Sequence, residues 1–228
     1  MRDILIFSTL LFFSCGAALA QNRQQATEIA VYHIRPEKQG QFLNNLREFR
    51  KNIASLEGFQ TYQTLASVAE TGVYVDIVLW RNASNAEKAA QRVKTDRTFA
   101  PFIQSIDSVY AYGDFLPLYS PKKPKKIMNN KQNITEVVMY QIKQSNLADY
   151  AKICNDVTKE LENFQGFISR TVLQDHKDPS IFVDVVVWAS LEVAQNAPKK
   201  AETLPAMQPF FAATERVISF QHYATFTP

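Results

Sequence analysis

Two short stretches, Tyr74-Val-Asp-Ile-Val-Leu-Trp80 and Phe182-Val-Asp-Val-Val-Val-Trp188, share one pattern of β-branched residues, a single aspartate and a closing tryptophan. They lie 108 residues apart (188 minus 80), and this offset superimposes the two halves of the chain without a gap. Further pairs at the same offset are Gly58 with Gly166, Phe59 with Phe167, Pro101 with Pro209, Phe102 with Phe210 and Val109 with Val217. A period this long exceeds that of solenoid repeats, so each copy is predicted to be a complete domain.

Each copy has the pattern of a β-α-β-β-α-β unit. The first helix carries one apolar stripe, made of Phe42, Leu46, Phe49, Ile53 and Leu56, with Tyr150, Cys154, Val157, Leu161 and Phe164 at the matching places. Strands are predicted at 28–34, 59–66, 73–80 and 108–115, and at 136–142, 167–174, 181–188 and 216–224. Second helical regions are predicted at 84–106 and 191–213. Because Pro198 and Pro205 interrupt the latter, it is expected to divide into two short helices.

The fold class predicted from this order is α+β, with two ferredoxin-like repeats. Each repeat would form an antiparallel sheet with both helices packed on one face. The third strand is apolar on both faces, since Val75 and Ile77 alternate with Val78 and Trp80. A bare apolar face of that size must be covered. We therefore expect the open sheet faces of the two copies to cover each other, as an intrachain pseudo-dimeric α+β barrel in a monomeric chain.

The sequence also predicts a signal peptide before the first repeat and a polar linker between the two repeats. Residues 1–20 are predicted to be a signal peptide, with an apolar run over 4–13 and Ala18-Leu19-Ala20 before the cleavage point. We expect an exported protein, periplasmic or secreted, and the alternative is a lipoprotein anchored through Cys15. Repeat 1 is assigned to 21–118, a polar linker to 119–134 and repeat 2 to 135–228. No stretch of the mature chain is apolar and long enough to span a membrane.

Composition excludes several classes of function. The formal net charge is +3, and the only cluster of lysines lies in the predicted linker, so no nucleic-acid-binding face is expected. Cys154 is the single cysteine after the predicted signal peptide, which leaves no internal disulfide and no cysteine-based metal site. It occupies the position of Leu46 in the helix stripe, where a small core residue is expected.

The repeated residues resemble those of the antibiotic biosynthesis monooxygenase domain. The resemblance rests on Leu56-Glu-Gly-Phe59, the strand from Asp76 to Trp80 and Pro101-Phe102, with their counterparts Phe164-Gln-Gly-Phe167, Asp184 to Trp188 and Pro209-Phe210. It implies a dimeric α+β barrel with a pocket between sheet and helices. Some members oxidise polyphenols to quinones without a cofactor, some open haem, and many have no assigned activity.

Haem-degrading members combine a pocket tryptophan with an asparagine on the first strand and a histidine on the second helix. Trp80 and Trp188 match the tryptophan. The asparagine position carries Val31 or Tyr32, and Met139 or Tyr140 in copy two, while Gln91 and Lys199 stand where the histidine would fall. We therefore expect no haem, and no other cofactor or metal ion is predicted.

Asp76 and Asp184 are the candidate catalytic residues. Each lies on a buried strand, on the same face as the tryptophan four residues later, and a buried carboxylate needs a partner or a shifted pKa. One interpretation is a base or anchor for a phenolic substrate that stacks on the tryptophan. The other is a structural aspartate that pairs with a first-strand or linker group at the seam between the copies.

The candidate ligand-binding residues are aromatic or imidazole side chains. Trp80 and Trp188 could line a pocket or fill the core, and Tyr32 and Tyr140 could contact a ligand or serve only in packing. His33 and His222 are not duplicated, and they would form one asymmetric site if they met across the seam. The sequence thus predicts a protein that binds a small aromatic molecule, and the alternative is a cofactor-independent monooxygenase acting on a phenolic or quinone-type substrate.

Overall fold

The computed structural model describes residues 24–118 and 133–226. The predicted signal peptide, Cys15 and most of the predicted linker lie outside these residues and stay predictions. In repeat 1 the elements are β1 Ala26–Ile34, α1 Gln39–Ala54, β2 Phe59–Ser67, β3 Val73–Trp80, α2 Ala83–Thr95, α3 Ala100–Ile103 and β4 Ile106–Pro117. In repeat 2 they are β5 Ile134–Ile142, α4 Tyr150–Leu161, β6 Phe167–Asp175, β7 Ile181–Trp188, α5 Leu191–Glu202, α6 Gln208–Ala213 and β8 Thr214–Thr225.

The eight described strands close into one antiparallel barrel in the order β1-β3-β2-β8-β5-β7-β6-β4. This confirms the predicted α+β fold with two ferredoxin-like β-α-β-β-α-β repeats in a single chain. The repeats are joined by hydrogen-bonded strand pairs, β2 with β8 and β4 with β6. Closure therefore leaves neither sheet with an open edge between the repeats.

The last strand of each repeat is longer than predicted. The predictions of 108–115 and 216–224 stop short of Pro117 and Thr225, which pair with Leu173 and Leu65 of the opposite repeat. The added residues at these ends are Leu116, Pro117 and Thr225, which are too few to show a strand pattern of their own. They are extended because the other repeat supplies their partner strand.

The barrel interior is the shared core of the two repeats. Val75 of β3 and Val183 of β7 are both fully buried there, together with side chains from the neighbouring strands of both halves. The opposite sheet faces carry Trp80 and Trp188, which pack under the helices of their own repeats. Mutual covering of the apolar faces thus holds as predicted, with one face of each sheet inside the barrel.

The residue that follows the last strand of each repeat packs against the other repeat. Phe226, just after β8, packs against Phe42 and Tyr74 in the helical core of repeat 1. Leu118, at the matching position after β4, packs against the helical core of repeat 2. Each half therefore completes a hydrophobic core that belongs mainly to the other half.

The helices lie on the outside of the barrel. The predicted stripe is confirmed, because Phe42, Leu46, Phe49 and Ile53 are buried, as are Tyr150, Cys154, Val157 and Leu161. The second helical region of repeat 2 divides at Pro205 as predicted, but Pro198 remains inside α5. Repeat 1 divides as well, at Asp96, whose side chain caps the next turn by accepting from the Thr98 N–H. No helix within residues 24–118 and 133–226 is long and apolar enough to cross a bilayer.

Candidate functional site

A cavity of about 690 Å³ lies between the sheet and the helices of repeat 1. Its walls are mostly apolar, and the exposed side chains of Ile103, Val109 and Tyr112 stand at its edge. The polar groups on its sheet wall are Glu28 and Tyr32 on β1, Tyr62 on β2 and Asp76 on β3, while Lys94, Asp96 and Arg97 line it from the helical side. An apolar cavity with a few convergent polar groups is the usual form of a small-molecule site.

Asp76 is the most buried acid of this cavity. Its carboxylate accepts a hydrogen bond of 2.5 Å from Tyr62 Oη and one of 2.6 Å from Thr64 Oγ1. Burial raises the pKa of Asp76 to about 6, and the hydrogen bonds from Thr64 and Tyr62 oppose the rise. The group therefore changes its protonation state close to neutral pH, as a general base must.

Glu28 is a second acid of the cavity that sequence analysis did not select. Burial, followed by the charges of Asp114 and Asp76, raises the pKa of Glu28 to about 8. Asp114 stands directly opposite Glu28 on β4 and is itself buried. One feature of the sequence could have identified Glu28: it is a glutamate inside an apolar strand, and it aligns with Glu136 in the second copy.

Tyr32 brings an unsatisfied hydroxyl to the same cavity. Its side chain is 1% exposed, and its ring packs edge-on against Phe102 at a centroid distance of 5.7 Å. The hydroxyl lies near the Asp76 carboxylate and helps to lower the pKa of Asp76, but no described group is in good hydrogen-bond geometry with it. A buried hydroxyl without a partner loses the free energy of solvation, so a ligand that hydrogen-bonds to it would recover that loss.

The two tryptophans occupy different places. Trp80 is fully buried against Phe59 in the core, and it is not among the described residues that line the cavity of repeat 1. The predicted stacking of a ligand on Trp80 therefore lacks a cavity surface. Trp188 does line a smaller cavity, of about 300 Å³, at the matching place in repeat 2.

In repeat 2 the matching aspartate, Asp184, forms a buried ion pair with Arg170. Arg170 donates to Asp184 Oδ2 from Nε at 3.0 Å and from Nη2 at 2.7 Å, and Tyr140 Oη donates to Oδ1 at 3.1 Å. Burial raises the pKa of Asp184, while the Arg170 guanidinium and the Tyr140 hydroxyl act against the rise. Arg170 also donates to the Cys154 carbonyl oxygen at 2.8 Å. The guanidinium is thereby fixed in place, so Asp184 is the acid half of a buried ion pair.

The structural interpretation of these aspartates is confirmed in part: Asp184 accepts from Tyr140 on the first strand of repeat 2, but neither aspartate lies at the seam. The partners of Asp76 are Tyr62 and Thr64, and the partners of Asp184 are Arg170 and Tyr140, so each aspartate bonds within its own repeat. The reason is the strand register, which places the aspartates on the helix-facing side of the sheet. The seam is formed by the other face and by the strand ends.

The histidines have separate partners. His33 Nδ1 lies 3.4 Å from Asp107 Oδ2 in repeat 1, and His222 Nε2 lies 3.0 Å from Glu136 Oε2 in repeat 2. Neither imidazole lines either of the two cavities. Each ring therefore has a carboxylate partner in its own repeat, and one asymmetric site shared by the two histidines stays a prediction. Within the described ranges, no three acidic, histidine or cysteine side chains are arranged to hold a metal ion.

Both repeats match the profile of one known protein family. The profile of the antibiotic biosynthesis monooxygenase family matches residues 26–95 and 133–207, one segment in each repeat. The chain belongs to this family. It therefore contains two antibiotic biosynthesis monooxygenase domains in tandem. No curated protein sequence is similar enough to the chain to count as a relative.

Solved structures of the same fold come from proteins with different names. An anthrone oxidase-like protein has a TM-score of 0.68 at 14% identity, over 91% of this chain and 93% of its own. A candidate monooxygenase from Fusobacterium nucleatum has a TM-score of 0.64 at 9% identity, over 90% and 93%. A chlorite dismutase from Candidatus Nitrospira defluvii has a TM-score of 0.63 at 9% identity, over 94% and 96%. At such low identity these likenesses establish the fold alone.

Proposed function

We propose that this tandem family member binds a small aromatic molecule in the cavity of repeat 1. The proposal rests on one observation: a large apolar cavity contains the Asp76 carboxylate together with the buried Tyr32 hydroxyl, whose oxygen has no described hydrogen-bond donor. The walls would take the ring of the ligand. The two polar groups would orient a hydroxyl or carbonyl substituent.

The dimensions of the cavity fit this class of ligand. A volume of about 690 Å³ lies within the range of sites that hold drug-sized molecules, which is roughly 300–1,000 Å³. Phe49 and Phe102 line the cavity, and their rings offer edges and faces for offset stacking on an aromatic ligand. The exposed apolar residues at the edge provide a route for such a molecule to enter.

Repeat 2 is the natural internal comparison. Its cavity, of about 300 Å³, is smaller, and the Arg170 ion pair already satisfies Asp184. A ligand hydroxyl would gain little from an aspartate that is fully occupied. We therefore assign the ligand to repeat 1.

Calorimetric titration with simple phenols and hydroxyquinones tests this assignment. We expect one molecule to bind per chain, and we expect Asp76→Asn to weaken binding. A second variant, Ala90→Phe, places a large side chain on the wall of the cavity and should abolish binding while the chain stays folded. Binding that survives in both folded variants would place the ligand elsewhere and contradict the proposal.

A second candidate function, cofactor-independent monooxygenation, is favoured by the pKa of Asp76 at about 6. An aspartate near that value can take the proton from an acidic phenol, and the resulting electron-rich anion can react with O₂. In the overall reaction the substrate loses two hydrogens and gains one oxygen atom, and the other oxygen atom leaves as water. Asp76 would act as the base and Tyr32 as a hydrogen-bond donor to the substrate oxygen.

Oxygen uptake with a panel of hydroxyquinones distinguishes the two functions. Stoichiometric uptake by the wild type, and a loss of about 100-fold or more in Asp76→Asn, would establish catalysis through this base. Asp184→Asn serves as the matched control and should retain uptake if the chain remains folded. Ligand binding without any oxygen uptake would leave binding as the function.

A further inference from the structure

We propose that the ligand of the repeat 1 cavity carries a positive charge, as a protonated aromatic amine does, and that Glu28 and Asp76 bind its cationic group. This inference rests on the proposed function and narrows its ligand class. It starts from an imbalance of charge inside the protein. Glu28 and Asp76 lie on the sheet wall of the cavity and Asp114 stands beside them, and no described basic side chain lies within ion-pair distance of these three carboxyl groups. A further acid of the lining, Asp96, is paired with Arg92.

The three carboxyl groups face one another across neighbouring strands. Glu28 on β1 is opposite Asp114 on β4, and Asp76 on β3 lies on the same side of the sheet as Glu28. Like charges directly opposite in a sheet repel each other and destabilise the pairing. The charge of Arg50 lowers the pKa of Asp76, but its guanidinium forms no ion pair with it: Arg50 donates to the backbone carbonyl of Tyr62 and lies over the Tyr62 ring. The cluster therefore has a place for a cation that the chain leaves unfilled.

In repeat 2 the carboxyl groups at the same two positions are each paired with an arginine or histidine side chain. Asp184, which matches Asp76, is paired with the guanidinium of Arg170 at 2.7 Å. Glu136, which matches Glu28, is paired with His222 at 3.0 Å. The residues that align with these two partners in repeat 1 are Tyr62 and Asp114, and neither can carry a positive charge. In repeat 1 a ligand would supply the cationic group that repeat 2 builds in.

The other groups in the cavity suit a cationic amine. Tyr32, Tyr62 and Phe102 present aromatic rings to it, and such rings attract cations through their faces. The Tyr32 side chain is buried, and its hydroxyl oxygen has no described hydrogen-bond donor, so this oxygen can accept from an ammonium N–H. Lys94 and Arg97 stand at the mouth, but they are exposed, and salt screens their repulsion.

The pH dependence of binding follows from the groups that surround Glu28. The titratable groups on the strands are Tyr62 from β2, Asp76 from β3, and Tyr112 and Asp114 from β4, and the Trp80 indole lies near Glu28 and acts against the rise in its pKa. Lys94, Asp96 and Arg97 line the helical side of the same cavity. The pKa of Glu28 at about 8 means that the free protein holds a proton there at neutral pH. A bound cation favours the ionised carboxylate, so binding at pH 7 should release a proton, and affinity should rise from pH 6 to pH 8.

The test uses the full chain and three probes of one shape. Tyramine carries an ammonium group, 4-ethylphenol lacks it, and 3-(4-hydroxyphenyl)propionate carries a negative charge in its place. Calorimetric titration at pH 7.5 should show tyramine binding about tenfold or more tightly than 4-ethylphenol, with the anion weakest. Glu28→Gln should reduce the preference for tyramine, because only Asp76 then remains to bind the ammonium group, while 4-ethylphenol binds as before. Glu136→Gln, the matched change in repeat 2, should leave all three affinities unchanged.

The outcomes separate this inference from the proposed function. Equal affinity for tyramine and 4-ethylphenol, or a preference for the anion, would overturn the cationic ligand and leave the aromatic site in place. Retention of the full tyramine preference in Glu28→Gln would overturn the role of Glu28. Failure of all three probes to bind the folded wild type would overturn both the inference and the assignment of a phenolic site.

Discussion

Arg170 and Asp184 form a buried ion pair with two hydrogen bonds to one carboxylate oxygen, at 3.0 and 2.7 Å. At the matching positions of repeat 1, Tyr62 donates a single bond to Asp76. The two aspartates share one sequence pattern, yet no described basic side chain lies within ion-pair distance of Asp76, whereas Asp184 is paired with Arg170. A duplicated domain can specialise in this way, because one copy is free to keep a site while the other stabilises the barrel.

Removing the arginine of this pair should destabilise the protein strongly. We expect Arg170→Met to lower the free energy of unfolding by about 3–5 kcal/mol, because Asp184 would be left buried without its cation. Urea denaturation measures the change. The double variant Arg170→Met with Asp184→Leu should recover most of the loss, since it removes the uncompensated charge. Equal destabilisation in the single and double variants would contradict this explanation.

The acids of repeat 1 should make stability fall as pH rises. The unfolded chain loses the Glu28 proton near 4.5, whereas the folded protein keeps it until about 8, so the folded state binds more protons in between. The free energy of unfolding should decrease over that window by up to about 1.4 kcal/mol per pH unit from this group. Denaturation curves of wild type and Glu28→Gln check the effect, and Glu28→Gln should show the shallower dependence. Identical pH profiles would show that Glu28 is not the source.

The glycines before the second strands should differ in their tolerance of a side chain. Gly58 has φ +83° and Gly166 has φ +80°, so alanine is strained at both. A methyl group at Gly58 would also collide with the buried Asn85 side chain, whereas at Gly166 the nearest atoms of Val193 are 3.0 Å away. We expect Gly58→Ala to cost roughly 1–3 kcal/mol of stability, and more than Gly166→Ala. Thermal unfolding of the two variants tests this order, and the reverse order would contradict it.

The packing of Phe226, at the end of repeat 2, on the core of repeat 1 should stabilise the folded chain. Phe226 contacts Phe42 and Tyr74 at centroid distances of 6.0 and 5.0 Å, so Phe226→Ala should lower the free energy of unfolding by roughly 2–3 kcal/mol. The control is Tyr110→Ala, which truncates an exposed aromatic side chain and should change stability by about 0.5 kcal/mol or less. Equal effects of the two changes would show that this packing contributes nothing to stability.

Much of the fold could be predicted from the repeat alone. The offset between the two Asp-containing strands fixed the number of domains, and the apolar character of both faces of β3 required that the repeats cover each other. The closing pairs of Pro117 with Leu173 and of Thr225 with Leu65 could not be predicted. These pairs depend on which strand end reaches the other repeat, and local sequence patterns carry no information about contacts between residues far apart in the chain.

The candidate site was only partly predictable. Asp76 was selected because a lone acid in an apolar strand demands a partner, but the identity of that partner depends on the strand register. A bulge between Phe59 and Thr61 in β2 sets that register and places Thr64 opposite Asp76. The role of Glu28 was missed, since its significance comes from Asp114 on a strand that is distant in sequence.

A crystal structure of the full chain grown with tyramine tests the central claim most directly. The account predicts one bound molecule per chain, in the cavity of repeat 1, with its amino group within hydrogen-bond distance of Glu28 or Asp76. The cavity beside Trp188 should hold no tyramine. Tyramine in the repeat 2 cavity, or at the seam between the repeats, with the repeat 1 cavity free of it, would contradict the account.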